Sequence, residues 1–153
     1  TGPAVRNLKN NFFSEFIGTF MLVFGVLFIV GPNIEISGSE IQNFGLGSLD
    51  ALPVGILVWL IGIALGGTTG YAINPARDFG PRLVYSFLPR KNKDADWKYS
   101  WIPVIGPLLG GALGALSFQA IFNQLLGTPF YLCLGLTVGV MILAIKEQTE
   151  KHV

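Results

Sequence analysis

The sequence contains little charge, one cysteine and one histidine. Asp, Glu, Lys and Arg make up 12% of its 153 residues, where soluble domains usually carry about 25%. Neither Cys133 nor His152 has a second residue of its kind, which excludes a disulfide framework and a cysteine-based metal site. The formal net charge of +1 gives no case for a nucleic-acid partner.

Catalytic patterns are also missing from the sequence. It shows no nucleophile–base pair, no metal-ligand spacing and no phosphate-binding loop. We therefore expect neither an enzyme nor a bound cofactor or metal.

Apolar segments dominate what is present. Hydrophobic residues supply 51% of the chain, and three runs approach the ~20 residues that a membrane-crossing helix needs. These predicted spans cover about 11–30, 51–67 and 101–124. The sequence therefore predicts an all-α, multi-pass membrane protein in contact with the lipid bilayer.

The segments between and after these spans differ in character. Residues 31–50 are rich in turn-forming residues and contain no Lys or Arg, which predicts a loop. The aromatic residues Trp97, Tyr99 and Trp101 follow a charged loop and predict an anchor at the membrane interface. The apolar run 130–145 has sixteen residues, just below the usual length of a span. It could span, lie at the interface, or pack on another subunit.

A polar, glycine-rich break over 66–82 separates two of the spans. Asn74 suits a helix N-cap, and Pro75 suits the first helical position, where a missing N–H costs nothing. A helix over about 75–88 would extend roughly 20 Å, too short for a hydrocarbon core of about 30 Å. We expect residues 70–72 to run extended and leave carbonyls for a permeant. Arg77 is a functional candidate, because a full charge is expensive within a membrane.

Glu15 and the glycines offer alternatives that the sequence leaves open. Glu15 is either an interfacial carboxylate or a buried acceptor for N–H groups of the glycine-rich break. Gly106, Gly110 and Gly114 recur every four residues, which predicts a face that packs closely on another helix. Gly62 lies seven residues after Gly55 and serves either helix packing or a wider pore.

The motif Asn74-Pro75-Ala76-Arg77, at the start of a half-helix between two spans, resembles the C-terminal half of the major intrinsic proteins. The resemblance covers about 11–122 and is closest to the glycerol facilitators. The residues that carry this closer likeness are Asp78, Arg82, Pro103-Val104 and Gly62. Tyr71 departs from the pattern, because phenylalanine is the familiar residue at that position.

The resemblance implies a role for each matching residue. The implied selectivity filter consists of Gly62, Tyr71 and Arg77. The implied pore-lining residues are Gly70, Ala72, Ile73, Asn74, Pro75 and Ala76. Glu15 and Asp78 are implied structural supports of the pore loop, and Asp78 is expected to pair with Arg82 or a backbone amide.

The resemblance also implies the architecture and the partners. The family contains two inverted repeats, each with an Asn-Pro-Ala half-helix, and this chain has one. We therefore expect half of an inverted-repeat bundle with one re-entrant half-helix. Residues 1–125 would be the C-terminal repeat, and 126–153 an additional apolar segment with a polar tail. The N-terminal half would come from a lost portion, favoured because residue 1 is Thr, or from a separate chain.

The implied function is a passive channel for glycerol, small uncharged solutes and water, assembled as a homotetramer in the cell (plasma or inner) membrane. Two alternatives remain. Broken helices also build ion-coupled transporters, and a single repeat could be a non-conducting assembly half. Orientation is in conflict, because the positive-inside rule places the loop 90–98 in the cytoplasm, whereas the resemblance places it outside.

Overall fold

In a computed structural model, the chain is a bundle of helices interrupted by one sharp break. The structure describes residues 1–29, 33–34, 42–43, 48–49, 51–91 and 94–150. Its helices are α1 (Leu8–Ile29), α2 (Leu52–Thr69), α3 (Pro75–Phe87), α4 (Trp101–Phe122) and α5 (Thr128–Glu150). Two short strands, β1 (Asn33–Ile34) and β2 (Gln42–Asn43), pair antiparallel. The rest of the predicted 31–50 loop, except 48–49, lies outside the described residues.

Four of these helices are long and apolar enough to cross a membrane. Within the described residues they are α1, α2, α4 and α5. The fifth, α3, has only 13 residues and reaches about 20 Å at ~1.5 Å per residue, so it cannot cross. This arrangement confirms the predicted all-α, multi-pass membrane fold with one half-helix.

The core of the bundle is a parallel contact between α1 and α4. Phe12 stacks on Trp101 near the start of both helices, with ring centroids 5.9 Å apart. Phe28 meets Phe122 near the end of both, at 5.8 Å. Contacts at matching ends show that the two helices run in the same direction.

Three glycines of α4 make this close contact possible. A Cβ added at Gly110 would lie 2.1 Å from the Phe16 carbonyl oxygen, and one at Gly114 would lie 2.7 Å from the Phe20 carbonyl oxygen. At Gly106 the same atom would lie 3.0 Å from the Cβ of Glu15. The prediction that this four-residue glycine repeat packs against another helix is confirmed.

The helix α5 is longer than the apolar run that predicted it. It has 23 residues, because Thr128 and Pro129 form its first turn and polar residues after Ile145 continue it. Proline suits the first turn of a helix. A count of apolar residues alone cannot detect that a helix continues through polar residues. Of the three alternatives left open, its length and composition fit a span.

Two contacts show that α5 runs antiparallel to α1 and α4. Near its start, Cys133 Sγ lies 3.8 Å from the Leu109 carbonyl oxygen in the middle of α4. Near its end, Gln148 Oε1 accepts a hydrogen bond from the Leu8 backbone N–H at 2.8 Å. The end of α5 therefore caps the beginning of α1, where a helix has N–H groups without partners of its own.

The prediction that Tyr99 anchors the chain at the membrane interface is wrong. Tyr99 is fully buried in the core, whereas Trp97 is 43% exposed. Arg6 covers the Tyr99 ring, with its Cζ 5.5 Å from the ring centroid. Burial raises the pKa of the Tyr99 hydroxyl above its ordinary value. Composition near a span predicts aromatics at that depth but does not say which of them turn inward.

The glycine contact between α1 and α4 can be tested with one methyl group. We expect Gly110→Ala to lower the free energy of unfolding by at least ~2 kcal/mol, because the clash is with backbone and overpacking typically costs about 1–3 kcal/mol. Thermal unfolding followed by circular dichroism in detergent measures this. Gly135→Ala on α5 is the control, since a Cβ there meets no atom within 4 Å. Equal losses in both variants would contradict the packing role of Gly110.

Candidate functional site

In the structure the break consists of residues 70–74, because α2 continues to Thr69 and α3 begins at Pro75. The chain reverses direction within these residues. Gly70, Tyr71 and Ile73 have φ values of 77°, 63° and 42°. The expectation that this stretch runs extended is therefore wrong at Gly70 and Tyr71. The Gly70 N–H donates to the Gly66 carbonyl and closes α2, and so tight a reversal needs left-handed backbone. Such conformations cost about 1–3 kcal/mol for residues other than glycine, so other contacts must hold them.

Glu15 on α1 supplies the first of those contacts. Its side chain is fully buried. Its two carboxylate oxygens accept hydrogen bonds from the backbone N–H groups of Ala72, at 3.1 Å, and Ile73, at 2.7 Å. Of the two alternatives for Glu15, the structure contains the buried acceptor. A carboxylate at this depth needs such donors to offset its lost hydration.

Thr19 supplies a second contact that the sequence analysis missed. Its hydroxyl lies 3.1 Å from the Ile73 carbonyl oxygen and 3.0 Å from the Glu15 carbonyl oxygen. Thr19 follows Glu15 by one helical turn, so both side chains lie on one face of α1. Between them, a Cβ at Gly18 would lie 2.9 Å from Ile73 Cγ2. The sequence signal for this contact is the spacing of Glu15, Gly18 and Thr19, which lie three and four residues apart on one face of α1.

The start of α3 is capped as its sequence predicts. Asn74 is extended, with φ −160° and ψ 124°, and its side-chain oxygen accepts a hydrogen bond from the Ala76 N–H. That bond has a length of 2.9 Å, and Pro75 occupies the first helical position. Because the amide oxygen is committed to the cap, the amide NH₂ of Asn74 is the group left to face outward.

The structure brings Gly62, Tyr71 and Arg77 together. A Cβ at Gly62 would lie 2.9 Å from Tyr71 Cζ, so the ring rests on the glycine. Arg77 Cζ lies 4.8 Å from the centroid of the same ring. Of the two alternatives for Gly62, this contact favours room for an aromatic ring, because the atoms nearest to its added Cβ all belong to Tyr71; the wider pore stays a prediction.

The remaining predicted pore-lining residues divide into two groups. Gly70, Asn74 and Ala76 are exposed and Pro75 is half-buried. Ala72 and Ile73 are only 0% and 4% exposed as whole residues, backbone included. Both are therefore covered in this half, and Thr19 binds the Ile73 carbonyl.

A groove of about 460 Å³ is lined in part by two residues of the predicted filter, Gly62 and Tyr71. Its lining is mostly apolar and consists of Gly55, Val58, Trp59, Gly62, Ile63 and Tyr71. The groove gives a solute an apolar wall, and Arg77 and the backbone of the break supply polar groups beside it. An arrangement of this kind binds hydroxyl groups and carbon–hydrogen surfaces at the same time.

Asp78 and Arg82 form a buried ion pair on the other side of α3. Arg82 Nε and Nη2 each donate to a different Asp78 oxygen at 2.7 Å. Arg82 also donates to the carbonyl oxygens of Ala95 and, at 3.0 Å, Asp96. The hydrogen bond to Asp78 raises the pKa of the Arg82 guanidinium. The pair attaches the half-helix to the loop before α4 and lies apart from the Tyr71 ring.

The described residues contain no group of three or more His, Cys, Asp or Glu that could hold a metal ion. The groups that the site does contain are the hydrogen-bond donors of Arg77 and Asn74, backbone carbonyl oxygens and the Tyr71 ring.

Comparisons with known proteins agree on one family. The family model described as Major intrinsic protein matches residues 3–118. A "Glycerol uptake facilitator protein" of Bacillus subtilis is 44% identical over 153 residues, 99% of this chain and 52% of the relative. A "Probable glycerol uptake facilitator protein" of Thermotoga maritima is 53% identical over 123 residues, 80% of this chain and 48% of the relative. A "Glycerol uptake facilitator protein 3" of Lactiplantibacillus plantarum is 54% identical over 123 residues, 79% of this chain and 46% of the relative.

The chain thus spans about half the length of these relatives. The Bacillus subtilis alignment covers 99% of the chain and so includes α5, although the family model ends at residue 118. No solved structure matches.

The contact from Thr19 to the break can be tested by Thr19→Val, which keeps the shape and removes the hydroxyl. We expect a loss of about 1 kcal/mol in the free energy of unfolding, the usual net value of one hydrogen bond. We also expect faster hydrogen exchange at the amides of Ala72 and Ile73, measured by mass spectrometry.

Thr68→Val is the matched control for this variant. The Thr68 hydroxyl is exposed and donates to the Leu65 carbonyl of its own helix, so exchange in the break should not change. Unchanged exchange in the Thr19 variant would show that Thr19 does not hold the break.

Proposed function

The chain belongs to the major intrinsic protein family, and from that premise we propose that it forms the C-terminal half of a passive channel for glycerol and small uncharged solutes, with water. One observation carries the proposal: Gly62, Tyr71 and Arg77 meet at the start of a half-helix that cannot cross the membrane. These three residues would form this half's share of the selectivity filter.

The donors of this filter would come from Arg77 and Asn74. No described carboxylate lies within ion-pairing distance of Arg77, and its guanidinium carries five N–H donors in a fixed fork. The Asn74 side-chain oxygen is bound to the Ala76 N–H, which directs its two N–H donors outward. Solute hydroxyls would accept hydrogen bonds from both side chains.

The acceptors would be backbone carbonyls of the break. Gly70 is exposed and Tyr71 is half-buried, so their carbonyls are the nearer candidates, whereas the carbonyl of the fully buried Ala72 would be reached only if the break moved. Glu15 holds the N–H groups of Ala72 and Ile73 on the opposite side. A peptide group that donates toward the protein directs its carbonyl the other way. Glu15 would thus orient the acceptors without touching the solute.

The Tyr71 ring and the adjoining groove would receive the carbon side of the solute. A polyol has a hydroxyl edge and a hydrocarbon edge, and aromatic rings contact carbon–hydrogen surfaces favourably. A cation would have to lose its hydration beside the Arg77 guanidinium, with no opposite charge to replace the lost water. Exclusion of cations by an arginine and by half-helix dipoles is the general account for aquaporin-type pores, and we adopt it for Arg77.

The half-bundle would require the matching half to enclose a pore. Gly70, Asn74 and Ala76 are exposed in this chain, and an inverted repeat from the same protein or another chain would cover them. We further propose a homotetramer in the plasma membrane, residues 1–125 as the repeat itself, and α5 as an additional helix that packs outside it. Glycerol and water would be its permeants.

The channel can be tested by stopped-flow light scattering on proteoliposomes. A chimera should be used in which this chain replaces the matching part of the Thermotoga maritima relative, beside this chain alone. We expect the chimera to re-swell in glycerol but not in sucrose. We expect Gly62→Trp to reduce glycerol flux to that of empty liposomes, because the indole would push the Tyr71 ring off this glycine and into the filter.

Gly139→Trp on α5 is the control, since a Cβ there meets no atom within 4 Å, and its flux should match the wild type. Glycerol flux that persists in Gly62→Trp would remove Gly62 from the filter. Flux that depends on a Na⁺ or pH gradient would instead support a coupled transporter. Absence of glycerol flux in the chimera would support the alternative that this chain is a non-conducting assembly half.

A further inference from the structure

The Tyr71 ring lies in a shallow trough on α2. Val58, Gly62 and Gly66 follow one another at intervals of four residues and therefore share one face of the helix. A Cβ at Gly62 would lie 2.9 Å from Tyr71 Cζ, and one at Gly66 would lie 3.3 Å from Tyr71 Cβ. The side chain thus extends along α2 from Gly66 towards Val58.

The hydroxyl at the end of this side chain is already used. It donates a hydrogen bond to the backbone carbonyl oxygen of Val58. A carbonyl has two lone pairs, so it can accept this bond in addition to a helical one, whereas the hydroxyl has a single proton to give. A solute at the filter would therefore meet the ring of Tyr71 and not a hydroxyl donor.

Two further restraints act on the same ring. The Tyr71 backbone has φ 63°, which restricts where the side chain can leave the chain. Arg77 lies over the ring, with Cζ 4.8 Å from its centroid. Of the restraints on the ring, the hydroxyl bond is the one that phenylalanine could not provide.

We propose that the hydrogen bond from the Tyr71 hydroxyl to the Val58 carbonyl holds the ring back against α2 and so keeps the filter wide enough for a three-carbon polyol. This inference rests on the proposed channel function. A tyrosine is longer than a phenylalanine and would narrow an aperture if its hydroxyl pointed into it. Here the hydroxyl oxygen of Tyr71 points at the backbone of α2, so a tyrosine at this position is compatible with a filter that passes glycerol.

The test compares two permeabilities of one protein. Tyr71→Phe in the chimera removes the bond and leaves the ring free to move away from α2, towards the solute. We expect the ratio of glycerol to water permeability to fall by about fivefold, the change in rate that corresponds to the net free energy of one ordinary hydrogen bond. The ratio of erythritol to water permeability should fall further, because erythritol is the larger polyol. A ratio reflects the aperture, whereas a loss of folded protein lowers both permeabilities equally.

Tyr131→Phe is the matched control, because Tyr131 is 58% exposed on α5, and its ratio should equal the wild type. An unchanged or increased ratio in Tyr71→Phe would overturn the inference. If the wild-type chimera passed no glycerol, the proposed function would fail, and the inference with it.

A second measurement tests the bond without any flux. Proton NMR of the chain in bilayers should show a slowly exchanging tyrosine hydroxyl that is lost in Tyr71→Phe and retained in Tyr131→Phe. Absence of that signal from the wild type would overturn the inference even where glycerol flux is normal. The two readouts therefore separate a failed hydrogen bond from a failed channel.

Discussion

The geometry of the break depends on a carboxylate placed where no charge should be stable. Glu15 is fully buried in an apolar helix, and its two oxygens bind consecutive backbone N–H groups of the break. Each partner needs the other: the carboxylate requires donors at that depth, and the strained backbone at Tyr71 and Ile73 requires a restraint. Together with the Thr19 hydroxyl on the Ile73 carbonyl, this contact holds the left-handed residues before Pro75 in place.

The glycines of α4 decide where that carboxylate sits. Gly106 lies against the Cβ of Glu15, and Gly110 lies against the Phe16 backbone one residue further along α1. A larger residue at either position would separate the two helices and shift Glu15 away from the N–H groups it binds. The packing of α4 on α1 therefore sets the shape of the break through the side chain of Glu15. The glycines act from a distance, since the atoms nearest to them belong to α1.

The sequence was sufficient for the spans, the half-helix and the capping by Asn74, because each depends on local chemistry. For Asp78 it offered Arg82 or a backbone amide as the partner, and the structure contains Arg82, one helical turn away. The sequence failed where distant segments decide the outcome. The left-handed backbone of Tyr71 follows from contacts with α1, the burial of Tyr99 follows from tertiary packing, and the length of α5 follows from polar residues that continue an apolar helix. The grouping of Gly62 with Tyr71 and Arg77 was implied by the family resemblance, but the direct contact of the ring with the glycine follows from the way the break folds back on α2.

The antiparallel course of α5 has a topological consequence. Crossings by α1, α2, α4 and α5 add up to an even number, while the half-helix enters and leaves on one side. The beginning of α1 and the end of α5 therefore face the same aqueous compartment, and the hydrogen bond from Leu8 to Gln148 joins them there. The turn between α4 and α5 faces the opposite compartment. A reporter fused after α5 would share its compartment with the loop between α3 and α4, and not with the turn that precedes α5.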